Sequence, residues 1–163
     1  SGFDPHIWLS PSLVKIQSQT IYNALADLDP AHAADYQSNL EAFIKDIDAL
    51  DAEIRTTLDT TKAKKFIVFH PSWGYFARDY GLEQISIEAG GQEPSAQELA
   101  DLIQLAKDEN IKVVFVQPEF SQEDAQTIAT EIDGKVLPVN PLDPDWLGNL
   151  KKVAESFAAV LNQ

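Results

Sequence analysis

The sequence predicts an α/β fold: a four-stranded parallel sheet flanked by helices and preceded by a long amphipathic helix. Three observations carry this reading. First, Phe66-Ile67-Val68-Phe69 is an unbroken apolar run, the pattern of a strand buried on both faces. Second, from residue 66 onward short apolar runs alternate with helical patterns, which is the signature of strand–helix–strand units. Third, Tyr36, Leu40, Phe43, Ile44, Ile47, Leu50, Ile54 and Leu58 recur at spacings of three and four, with Asp and Glu between them.

In order along the chain, residues 3–9 (F-D-P-H-I-W-L) are apolar and aromatic, and Pro5 forces Asp4 to be extended. Ser10-Pro11 opens a helix that runs to about Leu28, with Leu13, Ile16, Ile21, Leu25 and Leu28 as its apolar stripe. Asp29-Pro30 repeats that start. The second helix, about 31–58, either braces two lobes or lies on one sheet. The first strand ends at His70, where Pro71 offers no N–H to the ladder. Ser72 is expected to cap a short helix through Tyr80, closed by Gly81.

Ile85-Ser86-Ile87 is the second strand, and Gly90-Gly91 a turn. Ser95-Ala96-Gln97-Glu98 is a capping box that opens a third long helix. Val113 to Val116 is the third strand, followed by a helix capped by Ser121 and ended by Gly134. Val136 to Val139 is the fourth, near an edge because of Pro138. A last helix runs from Pro144 or Trp146 to Leu161.

Composition narrows the chemistry. Acidic residues outnumber basic ones 26 to 12, a net charge of −14, which argues against nucleic acid and anionic membranes as partners and agrees with attraction of cations. Solvated helix faces account for much of that charge as well. There is no Cys, so thiolate metal sites, disulfides and Cys nucleophiles are excluded. There is no Met either, even at position 1, so a start inside a longer protein or after processing is expected, with Ser1-Gly2 as a tag remnant. No G-x-S-x-G elbow, phosphate-binding glycine loop or H-E-x-x-H motif is present.

The chain has three histidines. His32 sits in the first turn of the second helix and reads as exposed. His6 lies in an aromatic loop. His70 stands at the carboxyl end of a central strand, the edge where open α/β sheets bind ligands; it reads either as a ligand-binding residue or as a loop histidine that merely hydrogen-bonds. Carboxylates that topology brings to the same edge are Glu88, Glu93, Glu119, Asp143 and Asp145. Imidazoles suit zinc, copper, iron and nickel, and added carboxylates shift preference towards manganese. Pairing of His70 with Ser72 would instead suggest a hydrolase, and Asp4 with His6 a hydrolase metal site, for which one loop is too little.

Three motifs resemble the solute-binding receptors of zinc and manganese ABC importers, the cluster A-I, ZnuA/TroA-like family. D-P-H-I-W-L-S-P at 4–11 is similar to the family's D-P-H-x-W-L-x-P. F-H-P-S-W-G-Y-F-A-R-D-Y-G-L at 69–82 is similar to its H-x-x-[FW]-x-Y-F-x-x-x-Y-G-L. Glu93-Pro94-Ser95-Ala96, Val113–Gln117 and Pro118–Ser121 are similar to its E-P-S … I-F-x-E-x-x-F-S.

The resemblance implies two α/β lobes joined by a rigid helix, with the metal in the cleft between them. Residues 1–28 would be the tail of the first lobe, 29–60 the linker helix and 61–163 the C-terminal lobe. It carries metal-ligand roles onto His6 and His70, and a histidine at the second place favours zinc, with manganese as the alternative. The family's last ligand, an Asp after the final strand, aligns with Asn140, and Asp143 is the carboxylate that could take over. It further implies a periplasmic or extracellular lipoprotein, whose signal segment lies outside this chain, that delivers a divalent ion to a membrane ABC permease.

With the first lobe absent, the expected zinc site is incomplete, and the uncovered helix 11–28 makes a homodimer or segment exchange the expected compensation. Two other readings remain: a small α/β hydrolase using His70, and an adhesion or assembly module.

Overall fold

A computed structural model describes the chain apart from Ser1, Gly2, Ala89, Glu93, Ser121 and Gln163; the expected roles of Glu93, of Ser121 as a cap and of Ser1-Gly2 therefore lie outside the described residues. The elements are α1 (Pro11–Leu28), α2 (Ala33–Asp59), β1 (Lys65–Val68), α3 (Gly74–Asp79), β2 (Glu83–Ser86), α4 (Ala96–Asp108), β3 (Val113–Val116), α5 (Glu123–Glu131), β4 (Lys135–Pro138) and α6 (Trp146–Leu161). The strands are all parallel in the order β2-β1-β3-β4. That order puts β4, with its Pro138, at an edge.

The sheet is covered on both faces because β3 is apolar throughout and β1 is apolar after Lys65, and both alternate their side chains. Phe66 and Val68 point into one core with Leu50, Ile54 and Leu58 of α2, Phe76 of α3, and Leu150 and Phe157 of α6. Ile67 enters the other core with Ala106 of α4 and Ala125, Ile128 and Ala129 of α5. Phe157 is the hub of the first core: its ring lies 4.4 Å from Phe115, 4.6 Å from Phe66 and 5.8 Å from Phe76, centroid to centroid.

The chain runs from β1 outward to β2, then crosses to β3 on the other side of β1. The reversal leaves a crevice beyond the carboxyl ends of β1 and β3, which is where ligands settle in open parallel sheets. His70 follows β1 and Gln117 follows β3, so both face that crevice by construction.

Three helix boundaries depart from the sequence reading. Asp29 does not cap the second helix: Pro30–His32 is a 3-10 turn and α2 begins at Ala33, with Asp29 bonded instead to the His32 ring and Tyr36 OH. Ser72 does not cap α3. The helix starts at Gly74 with Trp73 as its N-cap residue and no side-chain cap bond, because the buried Ser72 hydroxyl is taken by Gln117 Nε2 at 3.0 Å. At the end of α5 the left-handed residue is Asp133 (φ 51°), not Gly134, whose N–H closes the helix on Ala129 O. The capping box at Ser95 forms as expected.

The two long helices form a hairpin that is only half embedded. All buried residues of α2 lie in its second half (Ile47, Leu50, Ile54, Leu58), and α1 buries only Pro11 and Val14. The apolar stripe expected on helix 11–28 is therefore largely uncovered: Ile16, Ile21, Leu25 and Leu28 are exposed.

Replacing Phe157 by Ala removes a fully buried ring that four aromatic neighbours enclose. The expected cost is about 3–5 kcal/mol in urea unfolding at neutral pH, and a loss under about 1 kcal/mol would contradict its place as the hub.

Candidate metal centre

His6 and His70 are 64 residues apart in sequence, and the structure brings their rings together: Nε2 of one lies 3.3 Å from Nε2 of the other, with the rings edge to face. Each ring is held from behind by a carboxylate. His6 Nδ1 is 2.6 Å from Asp4 Oδ1, which also accepts the His6 backbone N–H at 2.9 Å. His70 Nδ1 is 2.8 Å from Glu88 Oε2, and Glu88 is buried.

Carboxylate oxygens accept, so each Nδ1 is assigned the hydrogen, which leaves the two Nε2 atoms facing each other. Two bare nitrogens repel unless a cation or proton lies between them. A tetrahedral ion with nitrogen ligands at about 2.0–2.1 Å has ligand–ligand edges of about 3.3–3.4 Å, so the spacing fits one edge of such a site. The carboxylate–imidazole pairing is also what orients histidine ligands in metal centres.

The chain supports this pair closely. Gln117, fully buried, accepts the His70 N–H on Oε1 at 3.1 Å and donates from Nε2 to the His70 carbonyl at 2.6 Å. Phe120 stacks on the His70 ring at 4.9 Å, and Trp8 abuts His6 at 5.3 Å. Trp8 Nε1 donates to Pro141 O at 2.8 Å, while Trp146 Nε1 donates to Trp8 O at 2.7 Å. Two indoles thus pin the His6 segment to the loop after β4 and to α6.

At its other end Ser10 caps α1, and its hydroxyl donates to Asp79 Oδ2 at 2.5 Å, as Ser12 does at 2.9 Å. Arg78 donates to Asp79 Oδ1. Burial alone would push the Asp79 carboxyl up, but the hydrogen bonds from Ser10, Arg78 and Ser12 and the Arg78 charge outweigh it and hold it below the ordinary carboxylate range.

A scan against protein families matches residues 1–160 to ZnuA, described as zinc-uptake complex component A, periplasmic. The chain belongs to this family. Among ZnuA relatives, the high-affinity zinc uptake system protein ZnuA of Bacillus subtilis (strain 168) is 37% identical over 144 residues, covering 87% of this chain and 45% of that protein. A ZnuA deletion mutant with zinc bound superposes with a TM-score of 0.94 at 50% identity, covering 98% of this chain and 62% of that one. The laminin-binding protein Lmb of Streptococcus agalactiae, a bifunctional protein with adhesin and metal transporting activity, gives 0.91 at 29% identity, covering 98% of this chain and 64% of that one. The chain thus spans less than two thirds of each of these ZnuA-family proteins.

Not every residue singled out in the sequence joins the pair. Asp143 Oδ1 accepts the Asp145 N–H at 2.9 Å, and Asp145 caps α6 through Gly148 N–H. Asn140 Oδ1 accepts the Leu142 N–H, and its carbonyl accepts from Asn149. Glu119 is exposed, and His32 is exposed and pairs with Asp29. Among the described residues no group of three or more His, Cys, Asp or Glu is arranged to hold a metal ion.

Both ring nitrogens of His70 are engaged by Glu88 and His6, and the Ser72 hydroxyl accepts from Gln117. The pairing of His70 with Ser72 that a hydrolase would use finds no support. Gln117 and Trp8 lie inside the quoted motifs and Trp146 outside them, but none was read as a supporting residue. Motif membership and a place just after β3 were the signals pointing to Gln117.

The Asp79 lock is expected to weaken with acid. Its depressed folded-state value means the contribution is fully present above the unfolded carboxylate value near about 3.9 and is lost as pH falls through the lower folded value. Asp79→Asn should therefore cost about 1–2 kcal/mol in denaturant unfolding at pH 7 and progressively less below about pH 4; an equal cost at pH 7 and pH 2.5 would contradict the assignment.

Proposed function

We propose that this chain supplies two imidazole ligands, His6 and His70, to a zinc ion carried as cargo, as part of a receptor that captures zinc for an ABC-type importer. The observation that carries the reading is the 3.3 Å separation of two Nε2 atoms, each ring backed by its own carboxylate. Imidazole donors favour zinc over manganese, which prefers oxygen ligands. Zinc-uptake relatives and a zinc-bound family structure at 50% identity support the same ion. The family's description places such a component in the periplasm, and a site outside the cytoplasm is proposed for this chain too.

A third donor from within the chain would come from the loop after β4. There Asp143 offers a carboxylate and Asn140 a weaker amide, and both would have to leave the turn hydrogen bonds they now make. The remaining ligands are proposed to come from a first lobe outside this chain. In that arrangement 1–28 belongs with the first lobe, 29–60 is the connecting helix and 61–163 is the second lobe. The uncovered apolar face of α1 is where the first lobe would rest, and in the isolated chain the same face would serve pairing with a second copy.

Two imidazoles hold zinc less tightly than a full set of four ligands. Calorimetry of the chain with zinc chloride is expected to give one ion per chain with a dissociation constant in the micromolar range or weaker, about −8 kcal/mol or less favourable. His6→Ala and His70→Ala should each abolish that heat, and manganese should compete poorly. A nanomolar constant, or binding that survives both substitutions, would refute the reading.

A further inference from the structure

Helix α3 opens on Gly74, and nothing in the backbone calls for glycine there. The glycines held at positive φ are Gly81, Gly90 and Gly91; Gly74 is not one of them. Alanine is the better helix former, so local propensity gives no reason for glycine at this place.

What glycine provides is room for a carboxylate. A Cβ on residue 74 would lie 3.0 Å from Asp4 Oδ2, with Gln84 Nε2 next at 3.8 Å. At 3.0 Å the neighbour must give by a few tenths of an ångström. Asp4 is badly placed to give. Its other oxygen accepts two hydrogen bonds from His6, from Nδ1 at 2.6 Å and from the backbone N–H at 2.9 Å, and turning Oδ2 away turns Oδ1 with it. The Asp4 main chain is tied to the same helix, since Tyr75 OH donates to Asp4 O at 3.3 Å. The remaining freedom is towards solvent, because the Asp4 side chain is 33% exposed, and that route breaks its bond to the ring.

We propose that Gly74 is a positioning residue for the metal centre: its missing side chain seats the Asp4 carboxylate, which keeps the hydrogen of His6 on Nδ1 and its Nε2 aimed at His70. The role is indirect. Gly74 touches neither ring, and it acts through one oxygen of one carboxylate.

The test uses two readouts on Gly74→Ala, Asp4→Ala and the double variant. On the metal-free chain, nitrogen-15 histidine spectra should show His6 as the Nδ1–H tautomer in the parent and a mixture in both single variants. By zinc calorimetry, Asp4→Ala should weaken binding on the order of tenfold, as loss of an orienting partner does. Gly74→Ala should weaken it by about threefold or more, and should add nothing in the Asp4→Ala background.

The thermal midpoint of Gly74→Ala should fall no further than that of Asp4→Ala, and the double variant should melt no lower than Asp4→Ala, which separates positioning from damage. An unchanged His6 tautomer in Gly74→Ala overturns the proposal. So does an equal zinc loss with Asp4 already removed, or a midpoint of the double variant well below that of Asp4→Ala. The calorimetric arm rests on the zinc reading above, whereas the tautomer arm does not; a parent chain that binds no zinc while its His6 tautomer responds to residue 74 defeats that reading and leaves this one standing.

Discussion

The constraint on which the site depends is the fixed approach of two imidazole rings, Nε2 to Nε2 at 3.3 Å. Each ring is held from behind by a carboxylate at its Nδ1. One ring stands at the end of β1, an interior strand fixed on both sides and on both faces. The other sits on a loop that by itself would wander. It is held by indole bonds from Trp8 and Trp146, by the Ser10–Asp79 contact and by Tyr75. A loop fastened at several points keeps its ring at that distance. If the pair holds an ion as proposed, little of its binding energy would be spent on arranging these two ligands.

The strands and helices were legible because local pattern and tertiary demand agree in this chain. Phe66 to Phe69 read as a buried strand and β1 occupies Lys65–Val68, one residue earlier, while Val113 to Val116 is β3 as read. The capping box at Ser95 needs no distant partner, and it formed. Ser72 failed for the opposite reason. Its hydroxyl had a local use and a distant one, and Gln117, from another strand's end, took it. Nothing within ten residues of Ser72 records that competition. Gln117 was overlooked because its importance lies in two backbone atoms of His70 rather than in any chemistry of its own.

The site was half legible. Topology alone placed His70 and Glu88 at one edge, and their hydrogen bond follows from that placement. Bringing His6 to the same point required the motif resemblance, since no periodicity links a loop at the start of the chain to a strand end 64 residues later. Charge read from composition was a poor guide to individual roles. Asp4, Glu88 and Asp79 each orient a neighbour, whereas much of the acidic excess lies on exposed positions of α2.

The α1–α2 hairpin is anchored at one end only. α2 has 27 residues, a length of about 40 Å, yet its buried side chains begin at Ile47, near the middle. It is a cantilever clamped in the sheet's core. A rotation of a few degrees at the clamp becomes a displacement of an ångström or more at the free tip near Pro30, with no change in the clamp's own packing. The direction in which that tip points is therefore set by how Ile47 to Leu58 pack against the aromatic core around Phe157, far from the tip itself.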